Sequence, residues 1–487
     1  MFVLRTFVFT FIVFIAFGSI SAYSEILSSG QTDVTKKVAK IISFFDSPQG
    51  KEAWPGFHLS TGPTIIYFGS NPFIAFDFKT SDSSWIQVKE LEPPAMMSQV
   101  DRWNLAHASS VSLNIENQLA YIFDFGRPDK INDEELGTFL HERFHRFQFE
   151  TFENLPSHTV FLDHFNIEQL ALTLLENQML LKSIHDVSME ALKDIICIHT
   201  ARVQLLKPES LEWERWQQRI EGTADYIETR TFTLLPIIKS TTPLLQVEVQ
   251  AKKLFHYRGL IDSSIKWRHY PVGNILGILL DKLGPQNWKE QVAHGLGPMD
   301  IAGKLVQINP NEFKRRLIEI KDHFNFTLAQ NIAETEVGKY QADLKAVDGR
   351  YSQDSGAEIN FLIPPQMKCS GGGGRSERTY FLPDGSTLDL GRGASWRCES
   401  KSTNALITLK SVPISYPGIL SRFKIEQTAL MEIDGHHSSI GMFTEEKSQP
   451  FHSLSINGRT AIIEVNGSGT ISFFKRGLLI TLGSQAL

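Results

Sequence analysis

His141 and His145 stand four residues apart with Glu142 beside the first, in the run His141-Glu142-Arg143-Phe144-His145. On a helix, residues four apart lie one turn above each other, so both imidazoles reach one tetrahedral metal ion. Glu142 projects about 100° around from His141, beside such an ion instead of onto it. There it can take a proton from a metal-bound water and pass it to a leaving amine. Zinc is the ion this arrangement suits, because it lowers the pKa of its bound water toward about 7. The bland alternative is a solvated helix face that also carries Arg143 and Arg146. A third ligand is available downstream, in Glu221-Gly222-Thr223-Ala224-Asp225-Tyr226. Glu221 would complete a His, His, Glu set and leave a fourth position for water. Asp225, one helical turn on, is placed to accept the free ring N–H of a zinc-bound histidine and fix its tautomer. Gly222 and Ala224 are small, so this helix is expected to approach the histidine helix closely. Alone, Glu221 would read as a surface carboxylate; beside the first motif, the ligand reading leads.

These side chains need elements to hold them. Thr64–Phe68 and Phe73–Phe78 read as strands separated by Gly69-Ser70-Asn71-Pro72, and Val111–Ile115 with Leu119–Phe123 as a hairpin across Glu116-Asn117-Gln118. From Asp133 to Glu150 the period turns helical: Leu140, Phe144 and Phe147 share one face, and His141, His145 and Gln148 the next. Helices are expected over 166–181, 188–206, 211–231 and 273–283, with more to about Ala346. Beyond that, Gly371–Gly374 begins a stretch of short apolar runs and turn signals such as Pro383-Asp384-Gly385 and Asn457-Gly458. Ala461–Val465 and Thr470–Phe474 read there as two strands joined by Asn466-Gly467-Ser468-Gly469.

A chain of 487 residues exceeds what one hydrophobic core usually organises, so two domains are expected. The net charge of −6 and pI near 6.2 give no basic field and argue against nucleic-acid partners. At the N-terminus, Arg5, the apolar run Phe7–Phe17 and the small residues Gly18–Ala22 form a signal-peptide pattern cleaved after Ala22. Secretion or periplasmic export follows. Contact with a membrane is expected only if that segment stays uncleaved as an anchor, since no charge lies between Arg5 and Glu25. Cys369 and Cys398 could pair in an oxidising compartment, while Cys197 reads as a buried thiol in an apolar run. No cysteine cluster has zinc-site spacing, which leaves metal binding to His and carboxylate. The sequons at Asn325 and Asn466 matter only in a host that glycosylates its exported proteins.

The pairing of His141-Glu142-x-x-His145 with Glu221-Gly222-x-Ala224-x-Tyr226 resembles the gluzincin group of zinc metallopeptidases, whose third ligand is a glutamate on a separate helix. The resemblance covers roughly residues 100 to 300 and implies a two-part catalytic domain; with the β-rich segment read from the residues beyond it, the expected fold class is α+β. A zincin-like metallopeptidase domain over 23–346, a small sheet plus a mostly helical part, would follow the signal peptide (1–22) and precede a β-rich domain over 347–487. It also implies an edge strand above the cleft that pairs with an extended peptide through main-chain hydrogen bonds. Tyr270-Pro271-Val272-Gly273, followed by the apolar helix Ile275–Leu280, is similar to a tyrosine-x-x-glycine segment of aminopeptidase-like gluzincins. There the tyrosine hydroxyl stabilises the oxyanion, so Tyr270 is the candidate, with His269, His256 and Tyr257 as alternatives and a plain core or surface role for Tyr270 still open.

Two departures bear on substrate. Seventy-five residues separate His145 from Glu221, far more than in the thermolysin-like or aminopeptidase branches, and helices within that gap are expected to wall the cleft. No Gly-x-Met-Glu-Asn segment is present to hold a free amine, so an endopeptidase or processing role stands beside an exopeptidase one. The expected function is hydrolysis of a peptide or protein substrate by zinc-activated water. The competing readings are a non-catalytic binding protein on the same scaffold and a zinc hydrolase of another carbonyl substrate. Intact Glu142 speaks against the first, because a binding module has no need of a general base.

Overall fold

The computed structural model describes residues 27 to 482 except 99–109, 127–132, 154–165, 236–253, 255–259, 440–446 and breaks of five residues or fewer. The expected signal segment, His256, Tyr257 and the Pro383-Asp384-Gly385 turn lie outside the described residues. The chain is mixed α+β with two sheets. It divides into two compact units, residues 1–160 with 168–330 and residues 161–167 with 331–487. Among the described residues, no helix is long and apolar enough to cross a membrane.

The first unit opens with helix α1 (Ser29–Asp46), where Ser28 and Gln31 cap each other's backbone amides and satisfy two of the donors a helix start leaves free. A short helix, α2 (Pro48–Ala53), follows. Strands β1 (Thr64–Tyr67), β2 (Phe73–Phe76), β3 (Trp85–Val88), β4 (Ala95–Ser98), β5 (Ser110–Ile115) and β6 (Gln118–Asp124) form one sheet. Its order is β3-β4-β2-β1-β6-β5, with β1 and β6 parallel and every other pair antiparallel. The expected β5–β6 hairpin is present, with Ile115 opposite Gln118. Strands β3 and β4 had no sequence expectation: each is four residues long, too short for alternation to register.

One face of this sheet gathers Ile65, Tyr67, Phe73, Ala75, Ile115, Ala120 and Ile122 into a core. On the other face of β6, Tyr121 and Phe123 pack against Phe139 of helix α3 (Asp133–Thr151), with ring centroids 6.2 and 5.5 Å apart. Burial of Leu136, Phe139, Leu140, Arg143 and Phe144 follows the stripe that an amphipathic helix lays on a core. Beneath α3, Trp54, Phe57, Phe144, Tyr226 and Trp288 interlock mostly edge to face, as with Trp54 and Phe144 at 5.1 Å.

Among the described residues, the rest of the unit is helical. It comprises α4 (Ile167–Ser183), α5 (Met189–Val203), α6 (Pro208–Gln217), a π-helical turn at Gln218–Gly222, and α7 (Thr223–Leu234). A second π turn at Ser263–Trp267 leads into α8 (His269–Leu283), followed by α9 (Trp288–Ala293), α10 (Pro298–Leu305) and α11 (Pro310–His323). Helix α8 starts four residues before the expected Gly273, so Tyr270 and Pro271 lie in its first turn, where proline loses no helical hydrogen bond. The close approach expected between the Gly222–Ala224 helix and the histidine helix is present, with α7 packed directly on α3. Gly222 itself faces Gly273 of α8, where an added Cβ would stand 2.6 Å from the Gly273 Cα. Cys197 is buried as expected, with its thiol against the Phe313 carbonyl and burial pushing it up to about 11.

The second unit takes in most of helix α12 (Phe326–Gln353) and a thirteen-stranded sheet, β7 (Ala357–Leu362) to β19 (Gly477–Leu482). Its pairs are antiparallel except β7 with β19. The expected turn at Asn466–Gly469 is not a turn. Strand β18 (Ala461–Phe474) runs straight through it, and β17 (Lys447–Asn457) pairs with both halves. Phe451 opposes Gly469 and Ser453 opposes Asn466, so two residues face one in a bulge, with Gly467 at φ 125°. Strands β8 (Lys368–Gly371) and β11 (Ser395–Glu399) set Cys369 directly opposite Cys398.

Candidate metal centre

The three expected ligands converge. His141 Nε2 and His145 Nε2 each lie 3.1 Å from Glu221 Oε2, and their rings stand at 89° with centroids 4.6 Å apart. The i, i+4 spacing on α3 accounts for the pair of rings. Glu221 reaches them from the π turn, a wider coil that is uncommon outside functional sites. Burial would push the Glu221 carboxyl up, but hydrogen bonding to His141 and His145 outweighs it and holds the group well below the usual carboxylate range. For His145, burial opposes the charged form, and bonding to Glu221 overrides it and raises the pKa.

Hydrogen bonding fixes how His145 presents itself. The Gln148 amide nitrogen donates to the Ile220 carbonyl and to Thr223 Oγ1, both at 2.8 Å, and Thr223 Oγ1 in turn donates to the Arg219 carbonyl at 2.6 Å. That leaves Gln148 Oε1 facing His145 Nδ1 at 2.7 Å as an acceptor. His145 therefore carries a proton on Nδ1, which leaves Nε2, 3.1 Å from Glu221 Oε2, to donate to that carboxylate when protonated or to offer its lone pair to a metal. Gln148 thus ties α3 to the π turn that supplies the third ligand. The sequence placed it on the right face without giving it this role.

Asp225 lies behind His141, as does Glu228, which had no sequence expectation: one ligand atom from each of the three lies within 4.8 Å of the others. Asp225 Oδ2 also accepts from Asn274 Nδ2 at 3.0 Å, and the same nitrogen donates to Thr229 Oγ1 at 2.8 Å. Glu228 is admitted by Gly137, one turn before His141, where a Cβ would come within 2.4 Å of the Glu228 carboxylate. Two groups of side chains can therefore hold a cation, His141/His145/Glu221 and His141/Asp225/Glu228, sharing His141. A helix face turned wholly to solvent does not fit this arrangement, because Arg143 is buried, bonded to the Leu59 carbonyl and seated over the Tyr121 ring.

Glu142 is half-buried, and its charge acts on both His145 and Tyr270. Tyr270 comes from α8 and lies parallel to His141, with 5.6 Å between ring centroids and 7° between planes. Burial and the adjacent Glu221 carboxylate push its hydroxyl well above the ordinary tyrosine range, so it is a protonated donor at the centre. His269 does not share this position. It is wholly buried, neither ring nitrogen is hydrogen-bonded, and burial drives it down to about 3 among Glu214, Arg268 and Arg202.

Those neighbours form a second polar cluster, built by the helices that separate the two motifs. Arg202 of α5 donates to Glu176 of α4 at 2.5 Å and, through two nitrogens at 2.7 Å, to both oxygens of Glu214 of α6. Arg268, two residues before Tyr270, pairs with Glu176 at 3.0 Å and donates to Asn177 at 3.1 Å. The long separation between His145 and Glu221 therefore supplies an anchor for the start of α8, and with it Tyr270. Tyr226 serves packing, with its hydroxyl 2.6 Å from Asp281. Compared with known proteins, the chain matches no protein-family model, no curated protein and no solved structure.

Proposed function

We propose that the chain is an exported zinc peptidase of gluzincin type, with a zincin-like catalytic domain, in which His141, His145 and Glu221 hold the metal and Glu142 is the general base. The observation that carries this reading is the approach of both Nε2 atoms to Glu221 Oε2 at 3.1 Å. Tetrahedral zinc with ligands at about 2.0–2.1 Å separates them by roughly 3.3 Å, so a small adjustment admits the ion. When bound, zinc supplies a nucleophilic water and polarises the scissile carbonyl. Glu142 would take a proton from the attacking water and return it to the leaving amine, while the Tyr270 hydroxyl would donate to the oxyanion. Asp225 orients His141 as Gln148 orients His145. A peptide fits better than a compact substrate because, among the described residues, β5 ends the sheet beside β6, the strand packed on the histidine helix, and its outer edge offers main-chain groups to an extended chain.

Zinc per chain in the purified protein, measured with a Glu221→Ala variant, tests the centre. About one tightly held zinc, weakened in the variant, supports the assignment. No zinc after the metal is supplied would overturn it and leave the binding-protein reading in front. A Glu142→Gln variant that keeps its zinc should lose about a hundred- to ten-thousandfold of peptide turnover, and retained turnover would remove Glu142 from the mechanism.

A further inference from the structure

Away from the metal centre, a cavity of about 480 Å³ opens between the end of α4, the outer part of α7 and the second half of α8. That volume is in the range of small-ligand sites, about 300–1,000 Å³. Ile184, Val187, Ile275, Ile278 and Leu279 give it apolar walls. Most of its hydroxyls are already committed to the protein: Ser183 donates to the Leu180 carbonyl, Thr233 to the Thr229 carbonyl, and Thr229 accepts from Asn274.

The cations that line it are differently placed. Asp281 holds Arg230 from one side only, 3.6 Å from the guanidinium Nε. Asp281 is itself fixed by the Tyr226 hydroxyl at 2.6 Å, Trp288 Nε1 at 3.1 Å and Lys289 at 3.3 Å. Among the described residues, the two terminal nitrogens of Arg230 have no hydrogen-bond partner, and neither does the Lys282 ammonium. A guanidinium whose Nε has only this ion pair and whose outer edge is open has the fork geometry that donates two parallel hydrogen bonds to a carboxylate. Among the residues that line the cavity, Arg230 and Lys282 set two positive charges against the one carboxylate of Asp281.

We infer that this cavity binds a small amphiphilic carboxylate, with its head on Arg230 and Lys282 and its apolar body against Ile275, Ile278 and Leu279. A neutral apolar molecule would leave the two cations without a partner. A compact hydrophilic anion would leave the apolar walls uncovered. The site uses none of the proposed zinc ligands.

Decanoate titrated into the full chain by calorimetry tests this, with decan-1-ol as the same chain without charge and acetate as the head alone. One saturable decanoate site per chain is expected, with decan-1-ol and acetate each at least about tenfold weaker. Arg230→Met should weaken decanoate by about tenfold or more, Arg230→Lys by less, and Ile278→Glu should abolish binding while the melting curve stays close to wild type. Absence of saturable decanoate binding would overturn the inference. So would decan-1-ol binding as tightly as decanoate, or unchanged affinity in both Arg230→Met and Ile278→Glu. Titrating the chelator-treated protein in parallel keeps this outcome separate from the peptidase reading, which can fail on zinc content while decanoate still binds.

Discussion

Around Arg202, two carboxylates and two guanidiniums meet inside the first unit with each charge matched by its opposite. Around Glu221, carboxylates meet two imidazoles, and among the described residues no lysine or arginine is paired with Glu221. Both clusters are largely removed from water, yet they answer the cost of burying charge differently. The first is closed, since its guanidiniums take up the carboxylate charge and leave nothing for a cation to do. The second leans on imidazoles, which are not permanent cations, so its negative charge is compensated by protons or by a metal. Buried charge by itself therefore does not mark a functional site; an excess of one sign does.

Breaking the closed cluster should give the largest change in stability. Arg202→Met leaves Glu176 and Glu214 buried without their main partner and is expected to cost about 3–5 kcal/mol, read by urea unfolding. Zinc content per folded chain should stay at the wild-type level. Loss of zinc at full stability would show that the two clusters are one. Acid acts on the same cluster. Burial would raise the Glu214 carboxyl, but Arg202 pulls it down to about 2, and Glu176 is likewise held well below its ordinary value. Because these folded values lie under the unfolded one of about 4.3, their contribution is complete above that pH and is lost as the pH falls toward 2. Unfolding free energy should drop steeply across that window in the wild type and more shallowly in Arg202→Met.

At the open cluster, Tyr270→Phe should lower peptide turnover by about a hundred- to a thousandfold with zinc content unchanged. Wild-type turnover would place the oxyanion donor elsewhere. Gly222→Ala puts a methyl group against the Gly273 backbone and should destabilise the unit by about 1–3 kcal/mol in thermal unfolding. The sharpest test of the contrast is Glu221→Gln. It removes a carboxylate that two imidazoles hold well below its usual range, so the metal-free protein should lose some stability near neutral pH. The loss should be clearly smaller than that of Arg202→Met, because no permanent cation is left without its partner. Its stabilisation by added zinc should disappear. A loss as large as that of Arg202→Met would mean that the centre is closed in the same sense.

How much of this the sequence carried depends on the distance over which each feature is encoded. His141, Glu142 and His145 are bound by one helical turn, so their geometry follows from spacing. Glu221 lies far along the chain, and it was reached only because Gly222, Ala224 and Tyr226 made a pattern around it. Gln148, Asn274, Arg268 and Glu228 carry no such pattern, and their roles exist only once α3, α7 and α8 are packed. Spacing also misled at Asn466–Gly469, where glycines that suit a hairpin turn also suit a bulge and nothing local decides between them. The strands on either side settle it, because Leu454–Asn457 and Lys447–Phe451 pair with both halves of β18.

The π turn at Gln218–Gly222 has a consequence for insertions and deletions. Glu214 and Glu221 are seven residues apart, and on an unbroken α-helix they would point to nearly the same side. Here Glu214 faces Arg202 and Glu221 faces the histidines, so the extra residue of the π turn works as a phase shifter between two halves of one rod. Removing one residue from the turn would rotate α7 by roughly 100° against α6. Deleting Gln218, for example, would keep Glu214, Glu221 and all of their partners, yet the two could no longer both reach them. At this place the chain should accept many substitutions more readily than any change in its length.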